Sequence, residues 1–295
     1  SRAEVHSRGN RLDKSVTFAV AGSGKTASVV DKLDVNRRSL LLTYTNNTYE
    51  DLRRRVIKRF GYVPPTVSIN TYFTFLNRFC YRPYLSGLIR DRGLCFSEPP
   101  DFTRRLNKND TRRYLTVDRR VYHNRLASLL NAKDCVPELM RRIERYYDAV
   151  YIDEVQDYSG HDFNFLELIW QAEVDWTMVG DFYQHTYSSS RDGNVNISLH
   201  SDYEKYQKRF RNAGFDVDTK SLLVSHRCTD AVCSFIKKKI GIDISTASIR
   251  EGRVEIIERQ EEANKLHADS SVVKLFYREA QLYGCYSLTW GNSKG

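Results

Sequence analysis

No apolar run in this chain of 295 residues approaches the roughly 20 residues that a membrane-spanning helix needs. The opening Ser1-Arg2-Ala3-Glu4 lacks the apolar stretch of a secretory leader, and a first residue of serine suggests a processed or trimmed chain. Cysteine is sparse: Cys80, Cys95, Cys135, Cys228, Cys233 and Cys285 form no CxxC pair, which argues against a zinc ribbon and against a disulfide framework. His161, His185 and His226 stand at no metal-ligand spacing. Internal repeats and low-complexity tracts are missing too, and there is no glutamine before Gln156. These absences lead to the expectation of a soluble cytoplasmic protein with no membrane partner.

What remains is globular. Hydrophobic residues make up 41% and charged residues 28% of the chain, enough for one large or two modest domains around a real core. Lysine and arginine number 46 against 37 acids, a formal +9. Such a surplus attracts polyanions, because phosphate neutralisation releases condensed counterions. Between residues 85 and 145 there are 14 basic and 8 acidic residues, so most of the excess is concentrated there. Arginine doublets at 104–105, 112–113, 119–120 and 141–142 alternate with Tyr114, Tyr122 and His123. Arginine interleaved with aromatics suits phosphate contact with base stacking, and equally a solvated face.

The sharpest local signal runs from Val16 to Thr26, VTFAVAGSGKT. An apolar strand enters a turn of small residues, and a helical pattern follows from Ala27 to Leu33. Glycines allow backbone N–H groups to surround phosphates while the next helix offers its positive end. Ala21, Gly22, Ser23 and Gly24 therefore form a candidate phosphate cradle. Lys25 is placed to reach the terminal phosphates and Thr26 to ligate Mg²⁺. Ala149–Ile152 reads as a buried strand ending in Asp153 and Glu154, a metal-holding acid and a general base. Trp176–Gly180 reads as another strand, followed by Asp181 and by Gln184, an amide able to sense a γ-phosphate or position water.

Together these pieces resemble the UvrD/Rep group of superfamily 1 helicases. AGSGKT (21–26) resembles motif I, DEVQD (153–157) motif II and GDFYQHTY (180–187) motif III. TYTN (43–46), before an arginine-rich helix, resembles motif Ia, and NTYFTF (70–75) resembles the next strand-contacting motif. SLLVSHR (221–227) resembles motif IV, and TWGNSKG (289–295) looks like the opening of motif V, where the chain stops.

The resemblance implies an α/β fold: a RecA-like P-loop NTPase, with a parallel sheet flanked by helices, a helical insertion and part of a second RecA-like domain. The expected division is 1–84 with 141–200 for the first domain, 85–140 for a basic insertion and 201–295 for the partial second domain. The implied cofactors are ATP and Mg²⁺, with Thr26 and Asp153 on the metal, Glu154 as base, and Lys25, Gln184 and Arg227 on phosphates. His226 is implied beside the nucleotide. Thr43, Tyr44, Asn46, Thr71, Phe73 and Tyr187 are implied on single-stranded or forked DNA.

Three departures accompany the resemblance. The family's upstream adenine-reading glutamine has no counterpart, His226 replaces an aromatic, and Ser189 stands where another aromatic is expected. The implied activity is ATP-driven translocation along, or unwinding of, DNA. A nucleotide-gated sensor or motor subunit of a multi-protein bacterial defence or repair complex, working with a partner protein, is the alternative. A binding protein without catalysis is the third reading.

Overall fold

The computed structural model describes residues 12–185, 195–276 and 279–289. Its centre is a six-stranded sheet in the order β3-β2-β6-β7-β1-β8. The strands are β1 (Lys14–Phe18), β2 (Ser39–Thr43), β3 (Val67–Thr71), β6 (Ala149–Ile152), β7 (Asp175–Gly180) and β8 (Asp216–Asp218). Every pairing is parallel, with Val16 opposite Met178 and Leu41 opposite Tyr151. The fold is thus α/β with a parallel sheet, as expected.

Strand β2 reads SLLLT and is buried at all five positions, since a parallel sheet is covered on both faces. Alternation then divides the core. Leu41, Ala149, Tyr151 and Val179 join Val29 and Val30 of α1 (Lys25–Asp31) and Leu52 and Val56 of α2 (Asn46–Phe60). Leu40, Leu42, Val150, Ile152, Trp176 and Met178 face the other way, into a larger core. That core takes Phe163, Phe165 and Leu166 of α7 (Gly160–Ile169) and Tyr206 and Phe210 of α8 (Tyr203–Asn212).

Between β3 and β6 the chain forms α3 (Tyr72–Thr74), a π-helical run Phe75–Ser86, and α4 (Gly87–Ile89). A two-residue parallel pair follows, β4 (Leu94–Cys95) with β5 (Val121–Tyr122), then α5 (Leu126–Ala132) and α6 (Val136–Tyr146). Most of residues 90–125 is turns and 3₁₀ segments, less helical than expected. Short local caps, such as Asp110 Oδ1 accepting from Arg112 N, turn the chain repeatedly. Tyr114, Val121, Leu126 and Leu130 join the larger core, so this insertion is continuous with the sheet.

The expected boundary at residue 200 does not coincide with the sheet edge. Helix α8 packs on the larger core, and β8 pairs with β1, so the sheet and its covering helices run to Asp218. Amphipathic spacing (Tyr206, Phe210) identifies a helix, but not which sheet receives it. Beyond it lie α9 (Asp230–Ile240), α10 (Gln260–Ala268) and two small parallel pairs. These pairs are β9 (Val224–Ser225) with β10 (Ser245–Thr246), and β11 (Lys274–Phe276) with β12 (Ser287–Thr289). No helix among the described residues is long and apolar enough to cross a membrane.

Candidate nucleotide site

The carboxyl ends of β1, β7, β6 and β2 stand side by side in the sheet, so the loops after them meet. After β1, Gly22 and Gly24 take φ values of 72° and 89°, a left-handed region open to glycine at no steric cost. That turn directs the chain into α1, whose first residue, Lys25, is buried. Ser23 Oγ is buried without a hydrogen-bond partner among the described residues. A buried hydroxyl ordinarily has a partner, so Ser23 Oγ has an unused capacity to donate or accept at the cradle.

Strand β6 delivers the acids. Asp153 Oδ2 accepts from Thr26 Oγ1 at 2.7 Å, and its Oδ1 accepts from Glu154 N at 3.0 Å. Burial first, and then the neighbouring Glu154 charge, push Asp153 up to about 7, against the Thr26 hydrogen bond and the Lys25 charge. Glu154 sits at φ 56°, a left-handed position sparsely used by residues with a side chain. Its carboxylate accepts from Gln156 Nε2 at 2.7 Å.

Gln156 ties this acid to the next strand. Its Oε1 accepts from Asp181 N at 2.9 Å, and its own carbonyl lies 2.7 Å from His185 Nδ1. Asp181, raised mainly by burial, accepts from Gln184 Nε2 and feels the Lys25 charge. Lys25 therefore lies near two carboxylates, yet makes no ion pair among the described residues.

The fourth contribution comes from beyond β8. Val20 N donates to Leu222 O at 3.0 Å and His226 N donates to Gly22 O at 2.9 Å. Ser225 Oγ caps the turn by accepting from Cys228 N at 3.0 Å, which presents Arg227 beside the cradle. The outcome is a cavity of about 600 Å³ reached by Gly22, Ser23, Gly24, Lys25, Thr26, Glu154, Gln184, His226 and Arg227. Ala21 and Asp153 are not on its wall; Asp153 is joined to it by the hydrogen bond from Thr26. The donor set, a hydroxyl and a carboxylate, suits a hard divalent cation that takes its other oxygens from phosphate and water. No cluster of three or more His, Cys, Asp or Glu at metal-binding spacing occurs among the described residues.

The strand-contact expectations divide differently. Thr43 is fully buried, and its hydroxyl pairs with that of Thr48 at 2.5 Å. Tyr44 stacks on Tyr72, meets Tyr158 edge-on and donates to Asp162 Oδ2 at 3.1 Å, so its ring belongs to the core rim. Thr71 caps α3 by accepting from Thr74 N. Thr43, Tyr44 and Thr71 thus each make intramolecular contacts, Thr43 fully buried and the other two half-buried. Asn46 is exposed, and Phe73 is half-buried beside Phe96 and His123. Tyr187 and the segment 290–295 lie outside the described residues.

Sequence reasoning missed two features. Gln156 is the link between Glu154 and Asp181, and only its place inside DEVQD hinted at a role. Thr45, Thr48, Asp51, Arg54 and Arg55 of the α2 region line the same cavity as the cradle, where a separate strand-contact face was expected.

The family match covers residues 101–207, which fit the UvrD/REP helicase N-terminal domain. This stretch contains Asp153, Glu154 and Gln184, while the phosphate cradle lies before it. No curated protein matches. Among solved structures, that of PRRSV helicase aligns with 95% of this chain at 12% identity and a TM-score of 0.43. The chain spans 44% of the length of that protein. Over residues 101–207, the stretch that carries the paired acids Asp153 and Glu154, the chain is thus similar to the N-terminal domain of the UvrD/REP helicases.

Proposed function

We propose that the chain carries the ATP-hydrolysing centre of a translocase or helicase acting on single-stranded DNA. One observation carries this reading: Lys25, Thr26, Glu154, Gln184 and Arg227, from four separate segments, converge on a single cavity. Lys25, Ser23 and the backbone N–H groups of the cradle bind the terminal phosphates. Thr26 and Asp153 would hold Mg²⁺, which supplies charge neutralisation on the phosphate oxygens. Glu154, its carboxylate oriented by Gln156, accepts the proton of the attacking water. Gln184 lies within reach of that water or of the γ-phosphate. Arg227 stabilises the charge that develops as the β–γ bond breaks.

Arg227 stands on the segment after β8, so its approach to phosphate couples hydrolysis to movement of that segment against the sheet. Asn46 and Phe73 are the strand-contact candidates left accessible. Phe73 offers a ring for base stacking, worth about 1–3 kcal/mol per base.

ATP turnover by the full-length protein, measured with and without single-stranded DNA at low salt, tests the reading. Turnover stimulated by DNA is expected, and Glu154→Gln should lower kcat by about 10²-fold or more while nucleotide binding persists. Turnover indifferent to DNA, or retained in Glu154→Gln, overturns it.

A further inference from the structure

The cavity is walled in part by Gly22, His226 and Arg227, and in part by α2. Sheet order explains this, since β2 lies on the far side of β6 from β1 and launches α2 beside the catalytic acid. On that wall a single carboxylate holds two guanidiniums. Asp51 Oδ2 accepts from Arg55 Nε at 2.6 Å and its Oδ1 accepts from Arg54 Nη2 at 3.2 Å. Two cations share one anion, leaving a net positive charge, and among the described residues each guanidinium gives one of its five donors to Asp51. The fork geometry of those donors matches phosphate oxygens.

We propose that Arg54 and Arg55 form an anion subsite that takes the orthophosphate released at Glu154, separate from the cradle that holds the nucleotide. This inference rests on the hydrolytic reading for the source of the anion, though not for its binding. Water adds its oxygen to the γ-phosphorus, the bond to the β-phosphate oxygen breaks, and the water proton passes to Glu154. The resulting orthophosphate leaves ADP in the cradle and passes to the arginine pair. Carboxylates at Glu154 and Asp157 line the same cavity. Their charge disfavours a stay beside the catalytic acid, and the arginine pair offers the counter-charge.

Calorimetric titration of the full-length protein with inorganic phosphate, in the absence of nucleotide, tests the subsite. The double variant Arg54→Gln/Arg55→Gln is expected to raise the phosphate Kd by about tenfold or more. The Arg54→Lys/Arg55→Lys variant should retain part of the affinity, because charge survives while the fork is lost. Arg53→Gln, on the same helix but off the cavity wall, should leave the Kd unchanged. Product inhibition of ATP turnover by added phosphate should weaken in step with the Kd. An unchanged Kd in the double glutamine variant overturns the subsite, as does an equal loss in Arg53→Gln. If the protein binds phosphate as described but hydrolyses no ATP, the hydrolytic reading falls and the subsite stands.

Discussion

Gly22 is where single-residue sterics bear most directly on the site. A Cβ there would lie 2.6 Å from Arg227 Cβ and 2.9 Å from Ser225 Oγ, at a φ of 72°. Left-handed backbone costs a residue with a side chain about 1–2 kcal/mol, and the contact must also push the Arg227 turn away from the cradle. Gly22→Ala should therefore lose about 1–2 kcal/mol in denaturant melts and reduce ATP turnover by at least about tenfold. The two effects arise separately, from backbone strain and from displacement of Arg227. Turnover at the parental level would mean that the contact with Arg227 does not serve hydrolysis. Gly24 has open space around its missing side chain, so substitution there would report backbone strain alone.

At the scale of elements, the loops after β6 and β7 act as one unit because Gln156 spans them. Removing its side chain leaves the buried Asp181 N–H without its acceptor, a loss of about 1–3 kcal/mol, and releases Glu154. Gln156→Ala should thus destabilise the fold by that amount and lower kcat more than it alters nucleotide binding, as urea unfolding and single-turnover kinetics would measure. The same unit contains a pH response. His200 stacks on His185 at 3.6 Å, and burial, with the adjacent His185, pushes its pKa down to about 3. Folded His200 stays neutral where the unfolded chain binds a proton below about 6.5, so its contribution is lost as pH falls. At pH 5 the difference is about 2 kcal/mol, and His200→Gln should flatten the stability profile between pH 6.5 and 5. Much of this region was legible beforehand. Buried runs such as AVYI and TMVG need no partner to be recognised as strands, and the acids and amides follow them directly. The partners were not legible: Tyr44 reaches Asp162 and α8 reaches the sheet across long separations, whereas periodicity reports only what is local. Composition is likewise silent about partners. Arg104, Arg112, Arg120 and Arg141 pair with nearby acids, and Arg125 is fully buried, so much of the basic segment serves its own fold.

Across the whole molecule, the segment after β8 is fastened to the sheet at the phosphate cradle itself. Two backbone hydrogen bonds, from Val20 N to Leu222 O and from His226 N to Gly22 O, join them, and Val20 packs with Cys233 and Ile244. The residues that would bind phosphate are thus the residues that hold the second segment. A ligand that binds only the folded cavity stabilises it by mass action, about 2.7 kcal/mol at one hundred times its Kd. That stabilisation should be uneven, because Arg227 and His226 gain a partner directly while α10, which has no buried residue and does not line the cavity, gains none. Hydrogen exchange with a non-hydrolysable ATP analogue and Mg²⁺ should therefore slow at 20–28 and 222–228, and leave 260–268 unchanged. Lys25→Ala should abolish the protection at both places together. Protection confined to 20–28 would mean that the nucleotide is held by the sheet alone, with no force transmitted to the segment carrying Arg227.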